Sequence, residues 1–272
     1  MGDLYTGRSV IPRAVRATYP ALVDAAGVGK DPIDANIAYV NGSPVMACLY
    51  GIDVKAPKTF GGAPELVISG PNEGNNLGHI NASSATVNNV YYVINRNLPA
   101  IAVSDFVTAS VEYTALTPTS RAYEVADIVM ELVEALVDNK QKSGDKLMPE
   151  GVGLNVNVPD FTAGSGNTIP FKLTHMGVAT SFAPAFYEDL GASPLGPALG
   201  IPAGLGLSGV GLAPSGTTLP TGVTIPTDNS STSEGNVIAA KGAVSISVIA
   251  GVPEARERFV GKIKGKLNKL LR

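Results

Sequence analysis

The chain has no tryptophan, one cysteine (Cys48), two histidines (His79 and His175) and no adjacent pair of aspartates. A single cysteine excludes an internal disulfide. With only two histidines beside it, a zinc site of the two-cysteine, two-histidine kind is excluded as well. Charge is also scarce. Asp, Glu, Lys and Arg make up 16% of the chain and the formal net charge is −3, which gives no reason to expect a nucleic-acid polymer as partner. Apolar residues reach 44%, yet no run has the ~18 uncharged apolar residues of a spanning helix, so membrane insertion is not expected. The opening residues lack the continuous apolar stretch of a signal peptide.

What the sequence does contain is centred on residues 65–105. Leu66 to Ser69 and Ala100 to Ser104 are short apolar runs of the kind found in buried parallel strands. Between them lie a loop rich in Gly and Asn and then Val87, Val90, Tyr91 and Ile94 at helical spacing. A strand–loop–helix–strand unit places its loop at the carboxyl end of the first strand, where open α/β sheets bind ligands. Glycines let the backbone approach a ligand and asparagine amides coordinate or hydrogen-bond it. The same residue types also make ordinary turns. Ser84 and Thr86 stand at the start of the helix, whose unpaired N–H groups suit a phosphate; Ser84 serves equally as a plain cap.

Several motifs in order resemble one family. Ser69-Gly70-Pro71-Asn72, Gly74 and Asn76-Leu77-Gly78 are similar to the SGxNxGxNLG signature of the SurE proteins, metal-dependent 5′/3′-nucleotidases and acid phosphatases. Ser84-Ala85-Thr86-Val87 resembles the family's SGTV, and Leu98-Pro99-Ala100-Ile101-Ala102-Val103-Ser104 its GxPAxAVS strand. Leu154-Asn155-Val156-Asn157-Val158-Pro159 resembles LNxNxP, Val244-Ser245-Ile246-Ser247 a late strand, and Gly42-Ser43-Pro44 a helix-opening GTP. The resemblance covers roughly residues 37 to 250. The Asp-Asp-Gly segment that opens the family, and whose carboxylates hold its metal, has no counterpart here.

The resemblance implies a three-layer α/β/α Rossmann-like fold with a hairpin-like extension and a C-terminal helix, in one domain. Within it, 1–36 is an atypical N-terminal segment with a short helix expected over Val15 to Ala26. Residues 37–160 form the α/β core, 161–252 an extension and 253–272 an amphipathic helix. Residues 191–227, rich in Gly and Pro, show no helical or strand period and read as an insertion, a hairpin or a lid. A helix over Pro44–Tyr50 is expected to stop near Gly51. Over 121–139, Tyr123, Ala126, Val129, Met130, Val133, Leu136 and Val137 mark a buried face, with Glu124, Asp127, Glu131 and Glu134 on a solvated one. The tail from Glu254 carries +5, leaving −8 on the remainder, and suggests docking on the acidic body of this chain or a partner.

For function, the resemblance implies a phosphoric monoester hydrolase acting on nucleoside monophosphates or other phosphate monoesters. Asn72 would be a ligand of Mg²⁺ or Mn²⁺, and Asn76, Ser84 and Thr86 would hold the phosphoryl group. A homodimer or homotetramer is implied too, in the cytoplasm as in typical bacterial members, or exported if a leader preceded Met1. Without the aspartate pair, the alternatives are a non-catalytic nucleotide- or anion-binding relative and a truncated chain without activity.

Overall fold

The computed structural model describes residues 27–30, 34, 36–106, 111, 115–140, 144–180, 182–194, 196–197, 200–214, 216–219, 222, 224–225, 227–228, 230–251 and 257–266. The helix expected over Val15 to Ala26 lies outside them. Strands β1 (Val28–Lys30) and β2 (Ala38–Val40) form a small antiparallel ribbon. Ser43 and Pro44 then open helix α1 (Pro44–Tyr50). Gly51 does not end it. With φ −59° and ψ −49° it stays right-handed helical, and a π turn over Gly51–Lys55 leads into α2 (Ala56–Phe60). The run stops only at Gly61, whose φ of 77° is left-handed.

The strand–loop–helix–strand unit forms as expected, from β3 (Val67–Glu73), α3 (Ala85–Ile94) and β4 (Ala100–Asp105). β3 is longer than its apolar run because its parallel register with β4 shifts between Ser69 and Asn72, which lets pairing resume at Asn72 with Ser104. Gly70 sits in that shift with φ 120°, and a Cβ there would lie 2.2 Å from the Val103 carbonyl oxygen. No other residue fits.

β5 (Val152–Val158) runs parallel to β4, β9 (Val244–Ala250) antiparallel to β5, and β6 (Phe171–Thr174) parallel to β9. The sheet order is β3-β4-β5-β9-β6, which leaves β3 at an edge among the described residues. β4 is buried on both faces, as its unbroken apolar run requires. Ala100 and Ala102 meet Val87, Val90, Val93 and Ile94 of α3. Ile101 and Val103 face the other way, against α4 (Arg121–Asp138). Each large apolar side chain sealed there contributes about 1.5–3 kcal/mol.

The packing face of α4 is the expected one in part: Val129, Val133 and Leu136 do pack on the core. Val125, Ile128, Val129 and Leu132 are buried, while Tyr123, Met130 and Val137 are about half exposed. Asp127, Glu131 and Glu134 face solvent as expected. Glu124, partly exposed on that side, also has its carboxylate accepting hydrogen bonds from the Gly164 and Gly166 N–H groups, which ties down that loop. The insertion contains a strand after all. β8 (Gly209–Pro214) pairs with β7 (Phe182–Tyr187) as an antiparallel ribbon outside the main sheet. Two further helices close the chain, α5 (Glu234–Ala239) and α6 (Glu257–Lys266). On α6, Val260 and Ile263 are exposed, so neither docks on the chain's own body. No helix among the described residues is long and apolar enough to cross a membrane.

Candidate functional site

A cavity of about 1140 Å³ opens beside β3 and the amino end of α3. Ser69, Gly70, Asn72, Asn76, Ser84 and Asn89 share its lining. Three of the four expected site residues, Asn72, Asn76 and Ser84, therefore line the same cavity. Thr86 is buried in the first turn of α3 and is not among the lining residues.

The loop after β3 is fixed from its own side chains outward. Asn72 donates through Nδ2 to the carbonyls of Glu73 and Gly74, which leaves its Oδ1 as the acceptor not used in those two bonds. Asn75 donates to the Ser104 and Val158 carbonyls at the ends of β4 and β5. Asn76 is held on every side. Its N–H donates to Asn157 Oδ1 (2.9 Å), its carbonyl accepts from Asn155 and Asn157 amides, and its own amide donates to Ser104 Oγ at 2.6 Å. Asn155 and Asn157 are fully buried in β5, and this clamp is why two amides sit in an otherwise apolar strand. Next, Gly78 adopts φ 56°; a Cβ there would stand 2.0 Å from the Ala179 carbonyl oxygen.

Ser84 caps α3, its Oγ accepting from the Val87 N–H at 3.2 Å. The Asn88 N–H is taken by the Ser84 carbonyl. Helix geometry leaves the N–H groups of Ala85 and Thr86 without intrahelical acceptors, at the positive end of the dipole. Two asparagines that suit a helix poorly are explained here. Asn88 donates to the carbonyls of Asn81, Ala82 and Ser84, and Asn89 donates to Ser69 Oγ. Both stitch the helix to the loop or strand before it. Cys48 also lines the cavity, but burial pushes its thiol pKa up, as suits an inert group.

One residue behind the site escaped the sequence analysis. Glu234, in the first turn of α5, is fully buried. Its Oε1 accepts from the Gly78 N–H (2.6 Å) and Asn81 Nδ2 (2.9 Å), and its Oε2 from Asn155 Nδ2 (3.0 Å) and Ser247 Oγ (2.9 Å). Burial pushes its pKa up to about 7 against the pull of those four donors. An acid just after a capping serine reads as an exposed partner of the helix dipole, so only the fold reveals it. Nearby, Asp105 ends β4 in a two-pronged pair with Arg121, at 2.5 and 3.2 Å. Burial raises the Asp105 pKa although Arg121 pulls it down.

Mg²⁺ or Mn²⁺ takes hard oxygen ligands, normally with a carboxylate among them. Asn72 offers a neutral amide oxygen. Asp105 is gripped by Arg121 and Glu234 is enclosed by donors, so neither supplies the missing charge. Among the described residues no group of three or more His, Cys, Asp or Glu is placed to hold a metal ion. The donor set present does not fit such a cation.

A mixed sheet with helices on both faces and a cavity along its β3 edge defines an α/β protein of the Rossmann-like kind. The SurE protein from Aquifex aeolicus has the same fold, with a TM-score of 0.58 at 18% identity over 93% of this chain and 92% of that one. The family model described as "Survival protein SurE" matches residues 6–182. The chain belongs to the SurE family. It is 34% identical over 142 residues to an acid phosphatase of Yarrowia lipolytica, covering 51% of this chain and 39% of that protein. It is 32% identical over 157 residues to a 5′-nucleotidase SurE of Thermoanaerobacter sp. (strain X514), covering 58% and 53%. The matched part thus spans about half the length of these relatives, or less.

Proposed function

We propose that the chain binds a phosphate monoester, a nucleoside monophosphate first of all, with the phosphoryl group against the amino end of α3. It would be the phosphate-holding part of a SurE-type phosphomonoesterase. The reading rests on one observation: Asn76, Ser84 and Asn89 line a single cavity at the helix end where the Ala85 and Thr86 N–H groups lack intrahelical acceptors. Hydroxyl, amide and backbone N–H donors at one cavity suit phosphoryl oxygens. The names of the relatives, an acid phosphatase and a 5′-nucleotidase, support the substrate class. Hydrolysis needs more than these groups supply. The amides and hydroxyls include no ionised acid or base, so what they support is binding of the phosphate monoester.

Calorimetric titration with AMP tests it, in Mn²⁺ and again in EDTA, beside an assay of phosphate release. AMP is expected to bind equally in both, and Ser84→Ala to weaken it about fivefold, the worth of one hydrogen bond of roughly 1 kcal/mol. Mn²⁺-dependent phosphate release would replace this reading with an active enzyme. No binding of AMP would end it.

The implied homodimer or homotetramer is supported by the β7–β8 ribbon, where Phe186 and Val210 are exposed. Sedimentation velocity is expected to give a dimer or tetramer that Phe186→Glu converts to monomer; a wild-type monomer would refute this.

A further inference from the structure

We propose that Glu234 is a positioning residue for the site: its carboxylate fixes the turn at 78–82, and through it Asn76 and the amino end of α3. The inference rests on the phosphate-binding reading and adds a residue outside the cavity wall. Oε1 is given wholly to the turn, through the Gly78 N–H and the Asn81 amide, while Oε2 is given wholly to the sheet, through Asn155 and Ser247. One carboxylate thereby spans two parts of the fold. Two routes lead from it to the cavity. The Asn155 amide that donates to Oε2 also donates to the Asn76 carbonyl. On the other side, the Asn81 carbonyl accepts from Asn88 on α3.

Filling the core does not account for an acid here. A carboxylate taken wholly out of water costs far more than a hydrocarbon of its size unless its oxygens are matched to donors. The matching is complete, and half of it is spent on the turn that follows Asn76. A role confined to capping α5 would need none of those loop contacts.

Three variants separate positioning from stability alone: Glu234→Gln, Asn81→Ala and Ser247→Ala. Each is examined at pH 8 by amide hydrogen exchange at residues 78–82, by calorimetry with AMP and by thermal melting. In Glu234→Gln an NH₂ faces donors, so exchange at 78–82 is expected to quicken and AMP affinity to fall, each about tenfold. Asn81→Ala loses the loop-side bond and is expected to follow it. Ser247→Ala loses the sheet-side bond and one to Thr174. It is expected to melt at least as early as Asn81→Ala while exchange and affinity stay within about twofold of wild type. Unchanged exchange in Glu234→Gln, or affinity losses in the two alanine variants that merely track their melting temperatures, would overturn the proposal. If the wild-type chain binds no AMP, the phosphate-binding reading fails, and the exchange result alone decides whether Glu234 holds the turn.

Discussion

Raising the pH from about 5 to 7.5 is expected to lower the stability of this chain by about 2 kcal/mol, opposite in sense to ordinary acid denaturation. Glu234 titrates near its usual 4.5 in the unfolded chain and at about 7 in the folded one. Over that interval the folded state keeps a proton that the unfolded state has released, so its advantage, complete below the lower value, is lost as the pH climbs through the upper one. Asp105 is shifted the same way by burial. Glu124, Glu150 and Asp160 are shifted down by their hydrogen-bond partners, so they weaken the fold only on the acid side of the window. Tyr91 is coupled to Glu234 but is itself pushed above its ordinary value of 10.0, outside the window. Thermal melts from pH 5 to 7.5 are expected to show a midpoint falling by about 6 °C in wild type. The slope should flatten in Glu234→Gln. A wild-type midpoint that is level or rises would count against a buried proton.

The second large effect is at Arg121. Replacing it by alanine is expected to cost about 3–5 kcal/mol, because Asp105 would keep its buried charge and lose its partner. The guanidinium also donates to the Pro159 and Phe161 carbonyls and stacks 3.5 Å from the Phe161 ring centroid. Its loss would therefore loosen the ends of β4 and β5 as well. Urea unfolding of Arg121→Ala beside Arg121→Ala/Asp105→Ala checks this. Removing the stranded carboxylate should recover part of the loss. A cost under about 1 kcal/mol would place the pair with ordinary surface ion pairs.

Much of this was legible in the sequence where one residue's neighbours in the chain decide its fate. The runs at 100–104 and 153–158 are buried strands, as their composition announces, whereas the run at 66–69 is a strand at the sheet edge with Ile68 exposed. The cap at Ser84 follows from its position before an apolar helical pattern. Other features depend on partners far away. The α4 helix is apolar on two sides: one stripe runs through Tyr123, Met130 and Val137, the other through Val125, Ile128 and Leu132. Periodicity alone cannot say which meets the sheet. Gly51 looks like a stop, yet the buried Ile52 and Ala56 carry the helix on. β8 has too few side chains for a strand pattern and exists because β7 pairs with it. That Asn72, Asn76 and Ser84 would line one cavity was readable from their motifs, whereas the place of Glu234 was not, since its four donors come from three separate stretches of chain.

That last separation bears on folding. Gly78 and Glu234 are 156 residues apart, and Ser247 lies further still. The loop carrying the Asn-rich motif is thus locked by groups that follow it in the chain by about 150 residues or more. Closing so long a span costs chain entropy that only the assembled β5–β9 pair can offset. The shape of the Asn-rich loop is therefore conditional on the far end of the sheet: its Gly78 and Asn81 anchors exist only where Glu234 has been brought against β5 and β9.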